Sequence, residues 1–174
     1  MASLFIPLSH LGFWEENRES LFHGRNKDPL LTGMDAYYYL RLTSDYLGGR
    51  YRSLDEKRPG EVRPNPVPLL VSGTALLHRV TSISIEKIAF YLPPILALSM
   101  VLVYFLWGGV FGGPAVGLIA SLAGASSYCW YSRVYLGRFD TDALNPFFVY
   151  FMSYALYRFV AVTDRKRFFH LGLL

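Results

Sequence analysis

The chain has 174 residues, of which 52% are hydrophobic, 17% aromatic and only 17% charged, with a net charge of +4 and a mean hydropathy of +0.26. Soluble domains carry about 25% charged residues, and here 45 consecutive positions, 88–132, hold no Asp, Glu, Lys, Arg or His. That pattern argues against intrinsic disorder and against an ordinary soluble enzyme. The charge divides as +1 over residues 1–87 and +3 over the remainder, neither of which is the basic field that tracks nucleic-acid phosphates.

Residues 1–14 are fairly apolar but too short to cross a bilayer, and no segment has the charged start, short apolar run and cleavage site of a signal peptide. The first 87 residues carry 10 acidic and 11 basic side chains, as water-facing protein should. Within them, Gly33-Met34-Asp35-Ala36-Tyr37-Tyr38 reads as a helix start, with the Asp35 carboxylate placed to accept from unpaired amides. Ala36, Leu40, Thr43 and Leu47 then repeat on one face, and Gly48-Gly49 supplies a stop. Pro59, Pro64, Pro66 and Pro68 keep the following stretch irregular. Leu69, Gly73, Leu76 and Val80 outline a second, short amphipathic helix suited to a membrane surface.

Three stretches then have the length and apolarity of a membrane span, about 20 residues. The first, Ile88 to Trp107, contains Pro93-Pro94, which predicts a kink or a late helix start. Glycines 108, 109, 112 and 113 with Pro114 form a tight break. The second span runs from Ala115 to Ser132, with Gly117, Ala120 and Gly124 permitting close helix approach. The third runs from Ala143 to Val162, with Arg158 able to snorkel at its end. The lone cysteine, Cys129, excludes an internal disulfide and a cysteine zinc site, and is expected to be an inert buried thiol.

The basic run Arg165-Lys166-Arg167 follows the third span, so the positive-inside rule places residues 163–174 in the cytoplasm as a basic tail. Counting back puts 1–87, a loop with short helices, and 133–142 outside, with the three spans in 88–162. An outside amino terminus of 87 polar residues implies a further span upstream, and no ending is recognisable at Phe168–Leu174. The sequence therefore reads as part of a longer, all-α polytopic membrane protein.

The densest local chemistry lies in Arg133 to Asp142. Asp140 and Asp142, at i and i+2 in a loop, can converge on one hard divalent cation, and Asp35 is a candidate third carboxylate on the same side. The same groups have plainer uses: Asp35 and Asp142 as helix caps, Asp140 as a solvated loop residue, and Arg133 as an interface anchor.

Gly-Met-Asp35-Ala-Tyr-Tyr in the first outer loop resembles the first aspartate motif of oligosaccharyltransferase catalytic subunits. Ser132-Arg133, followed by Gly137-Arg138-Phe139-Asp140-Thr141-Asp142, resembles that family's second motif, in which an Arg precedes by seven residues an Asp-x-Asp pair between two spans. The resemblance covers nearly the whole chain. It implies part of a C-type glycosyltransferase fold, and transfer of a glycan from a lipid-linked oligosaccharide donor to Asn in an Asn-x-Ser/Thr acceptor polypeptide. It also implies a divalent cation, Mn or Mg, held by Asp35, Asp140 and Asp142, with Asp35 near the acceptor amide and Arg133 holding it. The setting would be the cytoplasmic membrane of a prokaryote, in contact with membrane lipids, with the active face outside. The family's later acidic loop and its Trp-Trp-Asp motif are missing: the three tryptophans are Trp14, Trp107 and Trp130. The 174 residues alone are accordingly expected to be inactive. Alternatives are another lipid-phosphate-dependent glycosyltransferase, such as a protein O-mannosyltransferase relative, and a non-catalytic membrane scaffold.

Overall fold

A computed structural model describes residues 11–23, 28–52, 55 and 62–161; the expected basic tail, 163–174, lies outside the described residues. The described chain is mostly helical. Its order is α1 (Leu11–Glu16), α2 (Arg18–Leu21), β1 (Phe22–His23), β2 (Asp28–Pro29), α3 (Met34–Leu47), α4 (Leu69–Thr81), α5 (Ile85–Ala125), α6 (Tyr128–Tyr131), a 3-10 turn (Thr141–Ala143) and α7 (Asn145–Ala161). The two short strands pair antiparallel, Phe22 opposite Pro29. Two-residue strands have no periodicity to betray them, so the all-α expectation misses this strand pair.

The chain divides into two units. One spans 10–93 together with 136–140. Its helix α3 starts where expected, but Gly33 takes the N-cap position and Asp35 falls inside the first turn, exposed. The N-cap side-chain bond imagined for Asp35 is thus not its geometry, although a first-turn carboxylate still suits the positive end of the helix dipole. Ala36 and Thr43 are buried as the spacing predicts, joined by Leu42. Helix α4 packs on α3 through Leu70, Val71, Thr74 and Ala75. The stripe of Leu69, Leu76 and Val80 read from the sequence is the outward face. At the start of α5, Phe90 is fully buried, with its ring edge-on to Trp14 at 4.7 Å and tilted to Phe22 at 6.3 Å.

The other unit holds residues 94–135 and 141 onward. Helical backbone continues through Pro93-Pro94. It departs from helix at Gly112 and Gly113, where α5 folds back on itself as the glycine break predicts. The two arms are in near backbone contact: a Cβ on Gly117 would lie 2.7 Å from the Phe105 carbonyl oxygen, and one on Gly108 would lie 2.8 Å from the Gly117 Cα. Ser121 Oγ donates across the pair to the Val101 carbonyl at 3.1 Å. Ala97, Met100, Trp130 and Val134 form the local core, with Leu96, Tyr104 and Phe147 against it.

The expected second span is interrupted. Its helix ends at Ala125, and a turn at Ser126-Ser127 separates it from α6. The break sends Trp130 inward and turns Tyr128 and Cys129 outward, so Cys129 is exposed, contrary to the buried thiol expected. Among the described residues, α5 is the one helix long and apolar enough to cross a membrane. Only 22% of its most apolar 18-residue window is buried, whereas the core helix of a soluble protein would be mostly covered.

Candidate functional site

The two sequence motifs meet through backbone. The segment 136–140 lies against the loop that leads into α3: Thr32 N–H donates to the Gly137 carbonyl at 3.0 Å, and Thr32 Oγ1 donates to the Leu136 carbonyl at 3.4 Å. Leu136 and Phe139 are fully buried and anchor the segment. Asp35 and Asp140 each follow their end of the Thr32–Gly137 bond by three residues. The Tyr37 hydroxyl, accepting from Leu31 N–H at 3.0 Å, ties the same loop to the first turns of α3.

A covalent feature of α5 explains why the segment docks there. Proline has no N–H, so Pro94 leaves the Phe90 carbonyl, its i−4 partner, without a helical donor. Gly137 N–H supplies that donor at 2.9 Å. The proline pair therefore opens a hydrogen-bonding position instead of starting the helix. Gly137 itself sits at φ +77, with ideal Cβ distances of 3.3 Å to both Phe90 Cδ2 and Thr32 N. An L side chain is strained in that conformation and crowded in that space.

In the other unit, Arg133 donates to the Asp142 carboxylate at 2.5 Å. The pair is accessible: the Arg133 side chain is 52% exposed and that of Asp142 35%. Cys129, Trp130, Arg133, Asp142, Asn145 and Pro146 line a cavity of about 280 Å³. Asp142 lies in the 3-10 turn before α7 with its carboxylate on Arg133, so its place at a helix start and its ion pair coexist.

The carboxylates suit Mn or Mg in kind, because both are hard cations that favour oxygen donors. Among the described residues, no group of three or more His, Cys, Asp or Glu side chains is gathered to hold a metal ion. An ion taken up by Asp142 would share that carboxylate with Arg133 or displace the guanidinium.

Sequence reasoning missed a buried charge network behind α3. Arg41 makes a two-pronged pair with Asp55, with Nη1 donating at 2.9 Å and Nη2 contacting the other carboxylate oxygen. Arg63 reaches Asp45 at 2.8 Å and Asp55 at 3.5 Å. The Arg63 and Asp55 side chains are 4% and 1% exposed. Hydrogen bonding to Asp55 holds the Arg41 proton more tightly than usual. Nothing in the sequence pairs these charges, whose contacts span 8 to 18 residues. Met34, Tyr37, Tyr38 and Arg41 line a further cavity of about 390 Å³ along α3.

Comparison with known proteins identifies a family. The family described as "Oligosaccharyl transferase STT3, N-terminal" matches residues 3–172. Two curated relatives, both named undecaprenyl-diphosphooligosaccharide–protein glycotransferase, come from Campylobacter jejuni, one from serotype O:2 and one from strain RM1221. Each is 24% identical over 139 residues, covering 80% of this chain and 18% of the relative. The chain thus spans less than a fifth of the length of these relatives.

Proposed function

The chain belongs to the oligosaccharyl transferase STT3 family, matching its N-terminal part, and from that premise we propose that it builds one wall of a site that transfers a glycan from a lipid-linked donor to the Asn amide of Asn-x-Ser/Thr sequons. The observation that carries this reading is the Thr32–Gly137 hydrogen bond, which joins the backbone of the Asp35 motif to that of the Asp140 motif across more than a hundred residues of chain. A scaffold that used these aspartates only as helix caps would have no need to join the two segments.

In this reading Asp35 accepts from the acceptor amide N–H and orients a poor nucleophile. Asp35, Asp140 and Asp142 are the carboxylates that would hold Mn or Mg. The chemistry such an ion supplies when bound is neutralisation of charge building on the leaving phosphate oxygens. Arg133 holds the acceptor amide: a guanidinium has five N–H donors, enough to keep Asp142 and engage a carbonyl as well. The two arms of α5 and α7 are the three membrane spans. The second arm, only 12 residues of helix between Gly113 and Ala125, is about 18 Å long and needs α6 to complete its crossing of an apolar layer of about 30 Å. Residues 1–87 and 133–142 face outward, and 163–174 face the cytoplasm. No Trp-Trp pair occurs in the 174 residues, so sequon recognition lies elsewhere and this segment alone transfers nothing.

The test is transfer by the full-length protein that contains these residues, reconstituted with an undecaprenyl-diphosphate-linked glycan and an Asn-x-Thr peptide. Wild type forms glycopeptide, while Asp35→Ala and Asp140→Ala lose it and keep normal membrane insertion. Full activity in either variant would refute the assignment.

A further inference from the structure

Arg158 sets a cation among apolar side chains. It lies in the last turn of α7 and lines a cavity of about 200 Å³ together with Tyr154, one turn back on the same helix. The other walls come from α5: Phe105, Leu106 and Val110 of its first arm, and Pro114 at the start of its second. Trp107 holds α7 against that first arm. Its indole N–H donates to the Tyr150 carbonyl at 3.1 Å, and its ring packs on Tyr154 and Tyr157.

Among the described residues nothing answers this charge. Arg158 Nε is buried with no hydrogen-bond partner, whereas an arginine that only snorkels keeps its guanidinium in water. No Asp or Glu occurs in 88–139 or 143–161. Asp142 is held by Arg133 beyond the opposite end of α7, about 20 Å away along the axis. A charge within a membrane span ordinarily finds a partner, and the cavity leaves room for one from outside the chain. We propose that this cavity is a binding site for the phosphodiester headgroup of an anionic phospholipid. The Nη groups present their N–H donors in a planar fork that grips phosphate two-pronged, and the Tyr154 hydroxyl adds another donor. The apolar walls suit the glycerol end of the acyl chains. Basic pockets between spanning helices on the cytoplasmic side take such headgroups, and the basic run at 165–167 begins seven residues further on. The bound lipid ties the bend of α5 to the end of α7. The inference rests on reading α5 and α7 as membrane spans, not on glycan transfer.

Native mass spectrometry of the full-length protein tests it, with phosphatidylglycerol, diacylglycerol and inorganic phosphate as probes. Wild type should retain one phosphatidylglycerol more tightly than any other, and no diacylglycerol. Arg158→Gln should weaken that binding by roughly 10- to 100-fold, and Arg158→Lys, which loses the planar fork, by less. Gly109→Leu keeps the charge and removes the space. Gly109 lines the cavity and a Cβ there meets nothing within 4 Å, so the larger side chain should fill it and displace the lipid. Equal retention by wild type, Arg158→Gln and Gly109→Leu would overturn the site. Loss in Arg158→Gln alone would show an arginine that merely reaches the headgroup layer, and would overturn it too. Displacement of the lipid by inorganic phosphate would overturn the lipid assignment in favour of free phosphate. A nitroxide at Leu156→Cys, an exposed position of α7, checks the premise separately in a background with no other cysteine. If it reads water in nanodiscs, the span falls and the site falls with it; if it reads lipid while the phosphatidylglycerol is not retained, only the site falls.

Discussion

Replacing Gly137 by alanine should undock the Asp140 motif from the Asp35 motif without touching either carboxylate. Gly137 holds φ +77, a conformation that costs an L residue about 1–2 kcal/mol. The added methyl would also stand 3.3 Å from Phe90 Cδ2 and Thr32 N, tighter than ordinary contact, and crowding of this kind costs about 1 kcal/mol or more. Together these weaken docking by about 2–3 kcal/mol, a factor of roughly 30–150 at 1.4 kcal/mol per tenfold. Amide hydrogen exchange reads this directly, because the Thr32 and Gly137 N–H groups are held only while the segment is docked. Both should exchange faster by that factor, and transfer activity should fall with them. Gly137→Asn, which tolerates the left-handed region but keeps the crowding, should fall between wild type and alanine. Exchange at Thr32 within about threefold of wild type in the alanine variant would show that glycine's conformational freedom is not what seats the segment.

Three other outcomes follow from the packing. Gly117→Ala puts a Cβ 2.7 Å from the Phe105 carbonyl oxygen, whereas Gly109→Ala meets nothing within 4 Å; the first should lower the thermal midpoint by roughly 2–12 °C and the second should leave it near wild type. Asp55→Ala takes away the Arg41 ion-pair partner and leaves Arg63, only 4% exposed, with Asp45; removing one partner of a buried pair costs about 3–5 kcal/mol, so α3 amides should exchange roughly two to three and a half orders of magnitude faster. Arg50→Ala removes an exposed pair with Asp45 at 3.6 Å and should cost less than about 1 kcal/mol; equal effects from the two variants would refute the distinction. Burial pushes the Tyr51 phenol above its ordinary 10.0. The folded chain thus keeps this proton longer than the unfolded one, and the stability it contributes is whole below pH 10 and lost as pH rises through the raised value. A phenolate absorbance titration of wild type against Tyr51→Phe checks this, and a tyrosine titrating at or below pH 10 in the difference would contradict it.

What the sequence made legible was whatever repeats or breaks locally. The glycine cluster at 108–113 marks the turn of α5 because only glycine lets two helix backbones approach that closely, and the apolar run around it needs no partner to be recognised. The residue spacing located α3 and α4 for the same reason. It could not say which side of α4 packs, since both faces are apolar and the choice depends on where α3 lies. The late helix start that Pro93-Pro94 suggests does not occur, because a proline's effect depends on what answers the carbonyl it leaves open. Here the answer is Gly137, distant in sequence and donating through backbone. Thr32 escaped notice because its N–H carries no side-chain signature. The Arg41–Asp55–Arg63 network is likewise a product of chain folding, and its members look like ordinary solvated charges. Asp35, Arg133, Asp140 and Asp142 were visible as motifs, while the seating of 136–140 on the α3 loop emerged only from the structure.

The central claim is that the Asp35 and Asp140 motifs serve one site, and a double-mutant comparison of glycan transfer tests it most directly. In full-length protein, single-turnover transfer to an Asn-x-Thr peptide is measured for wild type, Asp35→Ala, Asp140→Ala and the double variant. Residues that act as a unit are strongly non-additive, so the double variant should be scarcely slower than the slower single variant. Losses that multiply, with each single variant keeping appreciable transfer, would mean that the two aspartates act independently, and the shared site would be wrong.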